Sequence, residues 1–250
     1  MWKKIGIGIV ILLLLIAGAG YYLFADLDSL IKSAINKYGS EATQTEVDVG
    51  SVNLSLTSGS GSISGLTIIN PPGYTATNAF YLGSIAVQVD TGSITGSGPV
   101  VIDNVSITQP QVTYEVRGLG LRSNLKVIQD NIEAFSSSGQ AQAQPQGNSG
   151  AARKEIIRNL TITGGEVFVV APVVNRTLKV PLPAIQLTDL GGNNGATPAQ
   201  IGIQVLREIT RQAATAGAKA LASYQLDNLG AGSGLIKNKA GGAFKSLFGG

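Results

Sequence analysis

From about Thr43 onward the apolar residues of this chain recur at every second position, the period of a strand with one buried face, and the alternation repeatedly changes parity. Val47 and Val49 share one parity, and Val52, Leu54 and Leu56 resume on the other after Gly50-Ser51. Phe80 and Leu82 give way to Ile85, Val87 and Val89 across Gly83-Ser84, and Leu178, Val180 and Leu182 give way to Ile185 and Leu187 across Pro183. A one-residue slip sends every later side chain to the opposite face. Slips inside strand-like runs therefore predict bulges or bends at the small residues, and a strongly curved sheet. Further strands are expected at about 62–70, 99–108, 111–117, 157–163 and 166–171. Turn clusters such as Thr57-Ser58-Gly59-Ser60-Gly61, Pro71-Pro72-Gly73, Thr95-Gly96-Ser97-Gly98 and Gly164-Gly165 separate them.

Helical periods interrupt this pattern in three places. Leu27, Leu30, Ile31, Ala34, Ile35 and Tyr38 form one stripe, with Asp26 or Asp28 able to cap its start and Gly39 able to end it. Asn124 is placed to cap a helix carrying Leu125, Ile128, Ile132 and Phe135. Thr197-Pro198 starts a third helix, whose stripe of Ile201, Val205, Ile209, Ala213, Ala216, Ala220 and Tyr224 is suited to covering an edge or open face of the sheet. Ser136 to Ala152 is rich in Ser, Gln, Gly and Ala without periodicity and reads as a flexible insert, about 136–152.

Twenty consecutive residues, Ile5 to Phe24, carry no charge, and at 1.5 Å per residue such a helix matches the roughly 30 Å core of a bilayer. Trp2, Lys3 and Lys4 precede the run; Asp26 and Asp28 follow it. By the positive-inside rule the N-terminus stays cytoplasmic and the remainder is exported. Ala17-Gly18-Ala19 has the small-x-small form of a signal-peptide cleavage site, but the run is longer than a signal's usual apolar core and continues past that triplet, which favours an uncleaved anchor. The expected organisation is a cytoplasmic stub and transmembrane anchor over 1–25, an exported curved β domain over 26–228 and a Gly-rich basic tail over 229–250. The fold class expected is mainly β with peripheral α, a curved and mostly antiparallel sheet covered by short helices and a C-terminal helix. In the tail, Lys237, Lys239 and Lys245 with Phe244, Leu247 and Phe248 suit either an anionic membrane surface or a frayed terminus.

Composition narrows the chemistry. With His 0 and Cys 0, no Ser-His-Asp or Cys-His system, thiolate zinc site or disulfide is available. Lys plus Arg number 18 and Asp plus Glu 15, and two of the cations are Lys3 and Lys4, so the exported part is close to neutral. That argues against a nucleic-acid partner, which needs a clustered basic footprint. Gly59-x-Gly61-x-x-x-Gly65 misses the dinucleotide spacing by one residue and lies between strands, so its glycines read as turn and bulge positions. The sequons at Asn53, Asn104, Asn159 and Asn175 match a frequent short pattern. Asp90, Asp103, Glu115, Glu166 and Asp189 mostly flank strand ends or turns, where a turn-forming or solvated role is expected. No enzyme activity, cofactor or metal is expected.

The order of these segments resembles the AsmA-like family of bacterial envelope proteins. The resemblance runs over roughly residues 1–135: the single N-terminal span, Ile35-x-Lys37-Tyr38-Gly39-Ser40-Glu41-Ala42-Thr43, and Val47-x-Val49-x-x-Val52-x-Leu54-x-Leu56. It continues through Gly59-x-Gly61-x-Ile63-x-Gly65-Leu66-x-Ile68-x-Asn70-Pro71-x-Gly73-Tyr74 and Leu82-Gly83-x-Ile85-x-Val87-x-Val89-Asp90, then Val105-x-Ile107-x-x-Pro110-x-Val112-x-Tyr114-Glu115 and the Ser123-Asn124-Leu125 helix start. It implies an inner-membrane anchor and a periplasmic curved sheet with an apolar concave face, in a family associated with phospholipid handling and outer-membrane maintenance. Some members are long grooves like bridge-type lipid-transfer proteins; roughly nine strands stacked at about 4.8 Å give only about 40 Å, so a bridge would need self-association or partners.

The leading expectation is therefore a non-enzymatic lipid-binding or lipid-transfer protein of the bacterial inner membrane, with phospholipid as its ligand. Val52, Leu54, Leu56, Val87, Val89, Ile107, Val112 and Tyr114 are the candidate lipid-lining residues; such residues more often serve as plain core packing. The alternative is a structural or assembly factor that binds a protein partner through its sheet edge.

Overall fold

A computed structural model of the protein describes residues 27–55, 57–117, 122–137, 153–172, 174 and 176–230. The apolar run Ile5 to Phe24, Leu56, most of the 136–152 insert and the tail beyond 230 lie outside them. Among the described residues no helix is long and apolar enough to cross a membrane. In chain order the elements are α1 (Leu27–Thr43), β1 (Val47–Asp48), β2 (Ser51–Ser55), β3 (Ser60–Ile69), β4 (Asn78–Val89), α2 (Thr91–Thr95), β5 (Val100–Arg117) and β6 (Arg122–Ser123). They continue with α3 (Asn124–Ser137), β7 (Glu155–Thr163), β8 (Glu166–Val170), β9 (Leu178–Pro181), β10 (Ile185–Leu190) and α4 (Pro198–Gly230). The fold is mainly β, and the sheet is not closed.

The strands occupy fewer places across the sheet than their number suggests. β1 and β2 lie end to end against β3, which pairs with β4, which pairs with the 18-residue β5. β7 and β8 run end to end along the other side of β5, and β10 and β9 in turn pair with them. The sheet is thus six strands wide, about 24 Å at the usual strand spacing, which corrects the 40 Å expected from stacking every strand separately. Pairing is antiparallel except along β5, where β7 and β8 run parallel to it. α3 lies between β5 and β7 in the chain, in the crossover that such parallel pairing requires.

The parity slips coincide in space. Asp48 pairs with Thr67 and Ser51 with Ser64, so Gly50 stands opposite Gly65. The same reading across the other pairs extends the row through Gly83, Gln109, Gly164 and Pro183. Gly65, Gln109 and Gly164 all have left-handed backbones, at φ 66, 52 and 65. Register is the same on both sides of the row, so no strand gains a residue on its neighbour. Instead every strand breaks its alternation at once: Ile63 is buried and then Leu66, Leu82 and then Ile85, Ile107 and then Pro110, Ile162 and then Gly165. Two successive outward residues in every strand thus mark one line, a crease in the alternation, across the whole sheet.

The helices fill that side. α1 packs on β1 and β2, α3 on β5, and α4 on β5, β8, β9 and β10, with α3 between the other two. Four expectations are corrected here. α1 does not stop at Gly39 but continues to Thr43, because Gly39 is where the helix touches β1: a Cβ there would lie 2.9 Å from Val47 Cγ1. The cap of α3 is Ser123, whose Oγ accepts the Lys126 N–H at 3.2 Å, while Asn124 is turned inward. Residues Val100–Arg117 form one strand where two were expected, since the positive φ at Gln109 does not end the pairing. A short helix, α2, which the sequence pattern did not predict, precedes the expected turn at Thr95 to Gly98 and is capped by Asp90, which accepts the Gly92 N–H at 2.9 Å. The Thr197-Pro198 start of α4 is as expected, with Thr197 and Gln200 exchanging hydrogen bonds.

Candidate functional site

Five of the candidate lining residues lie in the core and two more are packed against it. Val52, Val87, Val89, Ile107 and Val112 are buried in the core between sheet and helices, Ile107 and Val112 completely. Leu54 and Tyr114 are half-buried against that core, and Leu56 lies outside the described residues. Tyr114 reaches α4: a Cβ on Gly217 would lie 2.8 Å from its ring, so only glycine lets the helix come this close. Burial pushes the Tyr114 hydroxyl above its ordinary value. With the helices docked, protein covers the five buried candidates, Val52, Val87, Val89, Ile107 and Val112.

The accessible concavity lies one element further out. Between β9 with its flanking residues and the stretch Gln212 to Tyr224 of α4 runs a groove of about 750 Å³, within the roughly 300–1,000 Å³ of small-molecule sites. The twelve helical rises from Gln212 to Tyr224 make it about 18 Å long. Leu178 and Val180, of the parity that faces the helices, line one wall, and Ala216, Ala220 and Tyr224 the other. The small alanines leave the space that longer side chains would fill. Three cations stand at the rim, Arg176, Lys179 and Lys219, and no carboxylate lines the groove. Lys179 is engaged by Glu166 at 2.7 Å and lies 5.7 Å over the Phe168 ring. The Arg176 guanidinium lies 5.5 Å over the Tyr224 ring, a cation–π contact that holds it beside the groove. Such a trough can take an apolar segment and oppose a negative charge at its edge.

The strand-end carboxylates have structural work. Asp90 caps α2, Asp103 pairs with Arg158 at 2.6 Å, Glu166 holds Lys179, and Asp189 lies within β10 with a left-handed backbone at φ 51. Glu115 departs from the solvated role expected of it. It is only 2% exposed, and its carboxylate accepts the Thr75 N–H at 2.8 Å, the Thr75 hydroxyl at 2.9 Å and the Ala76 N–H at 3.0 Å. Its own N–H donates to Asn124 Oδ1 at 2.9 Å, and Asn124 Nδ2 donates to Asn70 Oδ1 at 2.7 Å. The network ties the loop after β3 to β5 and α3. It was not legible in sequence because Thr75 lies 40 residues from Glu115 and Asn70 lies 54 from Asn124. Gly59, first of the glycine triplet, has φ 69 and lies so close to Val89 O that a side chain would collide, a turn role as expected. Among the described residues no three carboxylates approach closely enough to hold a metal ion.

No family model, no curated protein and no solved structure matches this chain. The functional reading therefore rests on the groove and on the sequence.

Proposed function

We propose that this protein is a non-enzymatic lipid-binding protein, tethered to the bacterial inner membrane by Ile5 to Phe24 with its β domain in the periplasm, and that it serves envelope lipid homeostasis. The observation that carries the reading is the groove between β9 and α4, whose lining mixes apolar residues such as Leu178, Val180, Ala216 and Ala220 with the polar Thr177, Gln212, Thr215 and Ser223, and which carries three cations and no carboxylate. The uncharged twenty-residue run and the resemblance to AsmA-like proteins support the location. The binding surface proposed is this groove and not the sheet's apolar face, which the helices occupy.

Native mass spectrometry of the full chain extracted from membranes in mild detergent tests the reading. Retained phospholipid, lost when Ala220→Trp fills the groove, is the expected result; a lipid-free protein overturns it. The assembly-factor reading retains one supporting observation, the outer edge of β2, which pairs with no strand among the described residues. Crosslinking in membranes that captures a protein at Ser51 to Ser55 would favour it.

A further inference from the structure

Two cations of the groove lack an ion-pair partner. Arg176, stacked on Tyr224, and Lys219 are exposed and have no ion-pair partner among the described residues, whereas Lys179 is neutralised by Glu166. Both line a trough whose apolar residues include Leu178, Val180, Ala216 and Ala220 and which no carboxylate lines. A zwitterionic headgroup carries its own cation and would set it beside these two; a headgroup of net negative charge would not. From this charge complementarity we infer that the groove selects an anionic phospholipid, its acyl segment along α4 and its phosphate between Arg176 and Lys219. The inference rests on the lipid-binding reading above and adds the headgroup.

The topology also fixes where such a lipid sits. Lys32 Nζ donates to Gly50 O, Asn36 Nδ2 to Asp48, and Ser40 accepts the Val47 N–H, so α1 runs antiparallel to β1 and β2. Its start, Leu27, therefore lies toward the β2 side of the crease. β9 pairs with β8, on the other side of the crease. The groove is thus in the half of the sheet away from the point where the chain leaves the expected anchor.

The test is a comparison of phosphatidylglycerol and phosphatidylcholine of identical acyl chains, added to the full-length, delipidated protein in non-ionic detergent and read by native mass spectrometry. Phosphatidylglycerol should bind about tenfold more tightly, the size expected of two solvent-exposed charge contacts. Arg176→Gln with Lys219→Gln should reduce it to the phosphatidylcholine level, and Ala220→Trp should abolish binding of both. Equal binding of the two lipids, abolished by Ala220→Trp, overturns the headgroup assignment and leaves the lipid reading standing. Binding of neither overturns both. Inorganic phosphate displacing phosphatidylglycerol at the same concentration overturns the lipid as the preferred occupant. Loss of the preference on removing residues 231–250 assigns it to the basic tail and overturns the groove as its source. Circular dichroism of each variant separates lost binding from lost folding.

Discussion

Two glutamates, one on each side of the crease, are almost equally buried and live in opposite circumstances. Glu115, 2% exposed, receives three hydrogen bonds from Thr75 and Ala76. Glu155, 0% exposed at the start of β7, has no hydrogen-bond partner for either carboxyl oxygen, and burial pushes its pKa well above the usual carboxylate range. Burial alone says little about what a charge does for a fold. What matters is whether the chain brings donors to it, because a buried carboxylate without them is costly and takes up a proton instead. The half of the sheet with the groove is organised around a satisfied carboxylate; the half near α1's start tolerates an orphan one.

The comparison can be broken by substitution. Glu115→Leu should cost the most, about 3–5 kcal/mol, since it strands the Thr75 and Ala76 donors and releases the loop after β3. Urea unfolding measures it, and a loss below about 1 kcal/mol would mean the network is incidental. Asn124→Ala should cost about 2–3 kcal/mol by the same assay, because Asn124 links Glu115, Thr113 and Asn70. Glu155→Leu should go the other way, stabilising by about 1–2 kcal/mol at pH 7, as an apolar side chain replaces an unpaired carboxyl. The sign of the pH dependence follows. The folded state holds the Glu155 proton more tightly than the unfolded chain, so its contribution is fully present below the ordinary glutamate value. It is lost as pH rises from there toward the raised folded value. Melting temperature across that window should fall in the native protein and less in Glu155→Leu; parallel slopes would place the dependence elsewhere. The smallest effect is expected from Asp103→Asn, under about 1 kcal/mol, because its pair with Arg158 is solvent-exposed.

The crease offers a sharper version of the same lesson. Gly50-Ser51, Gly83-Ser84 and Pro183 were each visible as local slips, and a bend at each follows from strand geometry. Their alignment was not visible, because it depends on which residues pair across the sheet, and the parallel pairing of β5 with β7 and β8 joins segments 55 positions apart. The candidate lining residues show the limit from the other direction. An alternating run such as Ile85, Val87 and Val89 announces that one face is apolar, and it is silent on whether helix or ligand covers that face. Here α1, α3 and α4 do. The walls of the groove were partly named in advance, as the Ala216, Ala220 and Tyr224 stripe and the β9 residues Leu178 and Val180. Arg176 and Lys219 were not, since isolated exposed cations carry no signal until something places them at one opening.

Local periodicity and turn chemistry were enough to establish a mainly β chain with helices at its margins, the starts of α3 and α4 to within a residue, and the absence of histidine and thiol chemistry. These properties depend only on near neighbours in the chain. Long-range pairing decided the six-strand width, the single crease, the donors around Glu115 and the isolation of Glu155. It also moved the candidate site from the sheet's apolar face to the cleft beside α4. Each of these turns on contacts between segments that the chain order does not place together, where the docking of a helix determines which apolar surface remains open.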